Sequence, residues 1–478
     1  MLKSNRFRLA DDEMLDQIHE ATVEVLETCG VDFEDETARQ IMKDGGCEVD
    51  GWRIKIPRAI LEKTIEQAPS SFMFHGRNED KSFLVGEGQS RPHTDPSFGA
   101  VRIHDIETGY RDCTMDDMTK FFTLIQSSDI CDIGGGWPVE PADIPEKKAH
   151  LHVFREMVRH TDKPLRSFVG TTEEVQEYFE LYEIAKGEKG YLDTHTCMFA
   201  SINPVSPLTY AAFPLQTMIE HAKKKQAICT LTCAMSGISA PMSIMGAAVM
   251  QNAEMLAGNV LLQLVNPGTP YIMGPASCRP DMKSGLYANG SPEANMINGL
   301  SIQMAVERYK IPVRIMAGIT DAKVVDAQAG METMQTLIHA VMAGAHWIHG
   351  CFGSMDSLNA TSFEKIMLGE EAFSRVLRLL EGLKDWDKDT TVSEIVHAGP
   401  RGTYFMEPTT VMNFRNTWRP TVSTQEAYQN WADAGSKDFS TMARERWEKM
   451  LADAPESLLD DDREQAVNAF VEAKLNQA

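Results

Sequence analysis

Few residues of this 478-residue chain stand in a spacing that does chemistry unaided. His346 and His349 lie three apart in HWIHGCFGS. On a strand that spacing sends the two rings to opposite faces, so a shared metal is awkward, and one core histidine plus one pocket histidine is expected. His93 and Asp95, in HTDPSFG, give a second imidazole–carboxylate neighbourhood, with Asp95 read as a hydrogen-bonded loop carboxylate. The GGGW run from Gly134 either lets backbone approach a ligand closely or makes a tight loop. The spacings of phosphate-binding, dinucleotide, serine-hydrolase and zinc-protease chemistry are absent: there is no GxxxxGK[ST], no GxGxxG after a strand, no GxSxG and no HExxH.

These residues fall in a repeating pattern. Seven apolar, β-rich stretches start at Cys131 (CDIGGGWPVE), Lys163 (KPLRSFVG), His195 (HTCMFASINP), Gln226 (QAICTLTCAMSG), Pro270 (PYIMGPAS), Pro312 (PVRIMAGIT) and His346, each running into Gly, Pro, Asn or Ser. An eighth strand is expected at RPHTDPSFG, from Arg91, ahead of the helix-like DDMTKFFTLIQ. Helical spacing fills the intervals near 147–159, 173–186, 215–224, 242–264, 294–308, 326–342 and 364–383. Eight βα units predict an α/β chain folded as a TIM (β/α)8 barrel, whose chemistry sits in the loops after the strands.

Residues 1–90 read as an N-terminal helical and hairpin extension, 91–383 as the barrel, and 384–478 as a mainly helical C-terminal extension. In the first part, LADDEMLDQIHEATVEVLETCGV is a helix with Asp11 as N-cap, DETARQIMKDGG a second helix stopped by Gly45 and Gly46, and IPRAILEKTIEQAP a third. SFMFHGR reads as a strand, and VRIHDIETGYRDCT as a hairpin turning at 107–109. At the other end, STQEAYQNWADAG, STMARERWEKMLADAP and LDDDREQAVNAFVEAKLNQA read as charged helices.

The formal net charge of −23 disfavours nucleic-acid binding, which needs a basic footprint. The longest apolar run, 247–265, is broken by Gln251, Asn252, Glu254, Asn259 and Gln263, so no membrane span is expected. MLKSNRFRLADDEM lacks the apolar core of a signal peptide, and nine cysteines without CxxC pairing read as reduced thiols in a cytoplasmic protein. Met235, Met273 and Met316 are expected to line the barrel mouth.

Several segments together resemble the trimethylamine methyltransferase family, in its branch lacking pyrrolysine. They are GAVRIHDIETGYRDCTMDDM, INPVSPL, DAQAGMETMQTLIHAVMAGAHWIHG, GSMDSLNATSFEKIMLGEE, AGPRGTYFMEPTTVMNFR and WADAG, and they span nearly the whole chain. Many relatives carry a histidine in the segment matching MEPTT, where this chain has Glu407, Pro408 and Thr409. The resemblance implies methyl transfer from a methylated amine to the Co(I) corrinoid (cob(I)alamin) carried by a separate protein that docks at the barrel mouth. A chain of standard residues points to a quaternary amine, which leaves as a neutral amine: glycine betaine first, with proline betaine or a carnitine-type substrate as alternatives.

Such a reaction is an in-line displacement and needs no general base and no resident metal. It does need a cage for a permanent cation, an anchor for a carboxylate and alignment of one N–CH₃ bond. Phe98, Trp137, Phe199 and Phe352 near strand ends are the candidate cage, because aromatic faces attract quaternary ammonium. His349, Arg279 and Asn203 are the candidate carboxylate anchors. Arg166 and Arg314 sit early in their strands and read as structural ion pairs low in the barrel, while Asp321 and Asp356 lie past strand ends. A metal-dependent lyase or hydrolase using Asp95, His93 and the histidines near His346, or a non-catalytic barrel that binds betaine or the corrinoid protein, are the other readings open at this point. The terminal helices leave a homo-oligomer possible.

Overall fold

The computed structural model describes residues 7–145, 147–383 and 387–477; the first six residues and the start of the expected C-terminal extension, 384–386, lie outside them. Eight parallel strands within the described residues make the barrel: β1 (His93–Pro96), β2 (Gly134–Gly135), β3 (Leu165–Arg166), β4 (Met198–Ile202), β5 (Ala227–Thr232), β6 (Tyr271–Pro275), β7 (Arg314–Met316) and β8 (Trp347–Phe352). Their register runs Gly135 to Arg166, Arg166 to Phe199, Phe199 to Ala227 and Ile228 to Tyr271. It continues from Arg314 to Trp347 and from His349 to Asp95. A parallel bridge from Met273 to Val313 joins β6 to β7, and the Asp132 and Ile133 N–H groups donate to the Thr94 carbonyl, closing β1 on β2.

A helix follows each strand: α1 (Met115–Ser127), α2 (Ala149–His160), α3 (Thr172–Lys186), α4 (Ala212–Lys223), α5 (Ile244–Val265), α6 (Pro292–Gln303), α7 (Ala327–Ala343) and α8 (Phe363–Leu380). The chain is therefore a (β/α)8 barrel, as the strand rhythm predicts. Local signals fix the helix starts. Thr114 and Asp117 form a capping box on α1, Thr171 and Glu174 another on α3, and Asp326 caps α7.

The N-terminal extension partners two of the buried polar residues of α5, and neighbouring barrel segments partner the others. Helix Asp12–Thr28, capped by Asp11 as expected, and helix Arg58–Gln67 cover the outer side of α5. Asn252 donates to Thr22 Oγ1, Asn259 to the Thr64 carbonyl and Gln251 to Ser301 Oγ. Glu254 accepts from Ser206 and the Leu208 N–H. A helix surrounded on all sides can bury such side chains only when each has a partner.

The strands Ser71–Phe74 and Phe83–Gly86 form a hairpin that plugs the bottom of the barrel. Phe72, Phe74 and Val85 pack there against Phe199, Ile272 and Trp347. At the opposite end, the hairpin Arg102–Asp105 and Gly109–Asp112 pairs with Ala360–Thr361 and so ties the loop after β1 to the loop after β8. Helix Phe439–Asp453 packs on α8 and α1, with Trp447 against Phe363 and its indole donating to Glu364. Helix Asp461–Asn476 packs on α2 and α3.

Candidate active site

The interior of the barrel between plug and mouth is charged. Asp95, on β1 rather than in a loop, is completely buried. It accepts from Arg314 Nη2 at 2.8 Å, from Trp347 Nε1 at 2.9 Å and from His349 Nδ1 at 2.9 Å. The β8–β1 register sets Trp347 and His349 on one face, two residues apart, pointing at the same carboxylate. Burial alone would raise the Asp95 carboxyl; Arg314, His349 and Arg166 outweigh it and hold the group well below the usual carboxylate range. Burial, reinforced by Arg314, pushes the His349 imidazole down to about 3. The ring is therefore neutral near pH 7, donating its Nδ1–H to Asp95 and leaving Nε2 as an acceptor.

Arg166 enters the same space from β3. Gly136 makes room for it: at φ +84° a Cβ there would come within 3.1 Å of the Arg166 Cδ, so the GGGW run serves a close approach. The guanidinium lies 3.8 Å over the Phe98 ring, but its Nη1 stands 3.6 Å from Asp95, and neither Nε nor Nη1 has a hydrogen-bond partner. Burial and the neighbouring Arg314 push Arg166 down to about 9, still charged at neutral pH. Two guanidiniums thus face one carboxylate, leaving a buried positive charge with open N–H donors. Open donors on a buried cation are chemically able to receive an anion.

The expected site residues divide among several places. Phe98 is half-buried against Arg166; Trp137 is half-buried with its ring edge-on to Phe168 at 5.0 Å, and its carbonyl accepts from the Gly99 N–H. His349 joins them through Asp95. Phe199 is inward but fully buried, under Arg314 and edge-on to Trp347 at 4.5 Å, so its face serves the arginine. Asn203 is exposed at the upper end of β4 near Cys233, and Arg279 is half-exposed and paired with Glu293 at 3.2 Å. Phe352 is fully buried in the core between barrel and helices with Ile348 and Cys351. Above the charged layer, Leu231, Ala276, Met316 and Ile319 form a small apolar wall with Cys233. Met316 belongs to it and Met235 is half-buried, but Met273 faces the helix layer instead of the mouth.

His346 and His349 diverge as their spacing requires: His346 Nδ1 accepts from the Val313 N–H. Asp321 orders the upper loops, accepting from the Asn289 and Gly290 N–H groups and from Ser357, and Asp356 pairs with Lys323. Arg166 and Arg314 both pair with buried Asp95, as their reading as structural ion pairs expects, but Arg166, the last residue of a two-residue strand, reaches the middle of the barrel and keeps two nitrogens without partners.

Over residues 2–478 the chain matches the family described as Trimethylamine methyltransferase (MTTB). It belongs to that family, and it is a methyltransferase. It is 31% identical to a glycine betaine methyltransferase of Desulfitobacterium hafniense (strain Y51), over 98% of this chain and 97% of that protein. It is 30% identical to a proline betaine:corrinoid methyltransferase of Eubacterium limosum, over 81% of each chain. Its fold matches the crystal structure of the Methanosarcina barkeri monomethylamine methyltransferase, with a TM-score of 0.50 at 13% identity, covering 94% of this chain and 96% of that one.

Proposed function

We propose that this methyltransferase takes a methyl group from a quaternary amine carrying a carboxylate, glycine betaine first, and gives it to the Co(I) corrinoid of a separate protein. The observation that carries the reading is Arg166, whose buried guanidinium has two nitrogens without partners beside a half-buried aromatic face. A betaine carboxylate would complete those donors and cancel the excess positive charge, while its trimethylammonium group lies against Phe98 and Trp137 on the mouth side. Trimethylamine has no carboxylate and would leave Arg166 unanswered. The family likeness to betaine enzymes points the same way.

The protein's part is to bind and align. Arg314, His349 and Trp347 fix Asp95. Asp95 stands beside Arg166, and Arg166 would set the carboxylate end of the substrate. With that end fixed low in the barrel, one N–CH₃ bond points up toward the acceptor. The C–N bond breaks as the methyl carbon bonds to cobalt, its electron pair stays on nitrogen, and dimethylglycine leaves neutral at the amine. Positioning of this kind contributes several kcal/mol, up to about 7–11 in the best intramolecular cases.

The mouth suits a macromolecular acceptor. Val169, Val205, Phe213, Ile238, Met282 and Leu286, on loops that follow four different strands or start their helices, are all exposed. Apolar side chains around a barrel mouth are a docking surface for the corrinoid protein. Residues 91–383 are then the catalytic domain, with 1–90 and 384–478 as its extensions. The cytoplasm, where thiols stay reduced, suits nine unbridged cysteines and a Co(I) acceptor. The test is a panel of glycine betaine, proline betaine, carnitine and trimethylamine with free cob(I)alamin, followed by methylcobalamin absorbance. Transfer from glycine betaine supports the reading; transfer from trimethylamine alone, or from none of the panel, refutes it.

A further inference from the structure

The inner face of β4 carries a buried hydroxyl without a partner. Along Met198–Ile202 the side chains alternate. Met198, Ala200 and Ile202 pack into the helix-facing core and Phe199 packs inward on the plug, so Ser201 faces inward one pleat nearer the mouth. Ser201 is 7% exposed, and its Oγ has no hydrogen-bond partner. Thr230 and Thr232 on β5 also bury unpartnered hydroxyls, but the same alternation turns them toward the helices, with Tyr210 and Glu254 as neighbours. An inward hydroxyl is different: left unsatisfied it costs free energy, and a ligand in the barrel is what relieves that cost.

The charged layer flanks this hydroxyl on both sides. Arg166 pairs with Phe199 in the β3–β4 register, and its guanidinium stands 5.9 Å from the Phe199 ring centroid, beside β4 and at the foot of Ser201. On the other side Ser201 pairs with Cys229 in the β4–β5 register, and Arg314 Nη1 reaches the Cys229 Sγ at 4.0 Å. The buried carboxylate of this layer, Asp95, already accepts from Arg314, Trp347 and His349. A hydroxyl between two arginines, with the resident carboxylate already taken, is placed to donate to an incoming anion.

We propose that Ser201 is a substrate-binding residue, its Oγ–H donating to the betaine carboxylate that Arg166 holds. The proposal rests on the betaine reading above and adds a second point of attachment. An arginine alone leaves the carboxylate free to swing about the guanidinium. A donor from the neighbouring strand fixes the carboxylate plane, and with it the direction in which one N–CH₃ bond points.

The experiment measures kcat/KM of the unaltered chain and of Ser201→Ala with glycine betaine, proline betaine and carnitine, using free cob(I)alamin as acceptor, alongside urea unfolding of both chains. For each carboxylated donor that reacts, the expected result is a fall of about 10-fold in the variant, the worth of a hydrogen bond to a charged group. The urea midpoint is expected to stay unchanged, because the hydroxyl bonds nothing in the free protein. A change of less than about 3-fold overturns the proposal, as does an equal fall with choline, which lacks the carboxylate. So does a loss of activity that tracks a lower urea midpoint, or a loss confined to carnitine, whose own hydroxyl would then be the partner of Ser201. If the unaltered chain takes methyl from none of the three donors, the betaine reading fails and the proposal with it. If it takes methyl and Ser201→Ala matches it, the proposal alone fails.

Discussion

The Arg166 guanidinium stops 3.6 Å from the Asp95 carboxylate, while Arg314 closes on the same group at 2.8 Å. One carboxylate therefore has one committed arginine and one held in reserve. In the proposed function the committed pair belongs to the fold and the reserved charge to the substrate, so the two arginines should behave differently when removed.

Arg166→Met is expected to lower kcat/KM for a betaine by about 10- to 150-fold, the worth of a charge-assisted hydrogen bond. Folding stability should hold or rise by about 1 kcal/mol, because a buried, under-partnered charge is gone. Steady-state kinetics alongside urea unfolding checks both halves.

Arg314→Met should do the reverse to stability. It strands a buried carboxylate and is expected to cost about 3–5 kcal/mol, read as a lower urea midpoint.

His349 gives a pH signature. Its folded value, about 3, lies below the ordinary value of 6.5, and His221, buried and also pushed down to about 3, behaves alike. Unfolding lets each ring take up a proton. The contribution of each is therefore complete above about pH 6.5 and is lost as pH falls toward 3, at about 1.4 kcal/mol per pH unit. A His349→Gln chain should lose stability less steeply between pH 6 and 4 than the unaltered one by about that slope, measured by urea unfolding at stepped pH.

Phe98→Ala removes the ring that faces both Arg166 and the expected cation. A cation–π contact of about 0.5–2 kcal/mol corresponds to a KM rise of about 2- to 30-fold, with Phe98→Tyr restoring most of it. Phe352→Leu, deep in the helix-facing core, should leave KM unchanged.

The barrel was legible because the strands lie in apolar runs bounded by loop residues and six of the eight barrel helices begin at a side-chain cap, such as Thr114, Thr171 and Asp326, α2 and α4 being the exceptions. The site was legible only in part. Strand parity separates His349 from His346, and the same parity carried on from His349 already turns Phe352 outward; the irregular register between His349 and Phe352 leaves it there. Phe199 does point inward, but its level depends on the plugging hairpin Ser71–Phe74 and Phe83–Gly86, which joins the barrel from far away in sequence. The ion pair of Arg166 was legible, but its height in the barrel and its two open nitrogens were not, because β2 and β3 are only two residues long. In so short a strand, an arginine near its start is already at the centre of the barrel, and that length is set by pairing and not by composition.

The most direct measurement pairs two donors that share a trimethylammonium group and differ in the carboxylate: glycine betaine and choline, each with cob(I)alamin and the unaltered enzyme. If Arg166 holds the carboxylate, methylcobalamin forms with glycine betaine at a kcat/KM at least about 10-fold above that with choline, and Arg166→Met erases most of the difference. Equal rates with the two donors, or a preference for glycine betaine that survives loss of Arg166, would contradict the account.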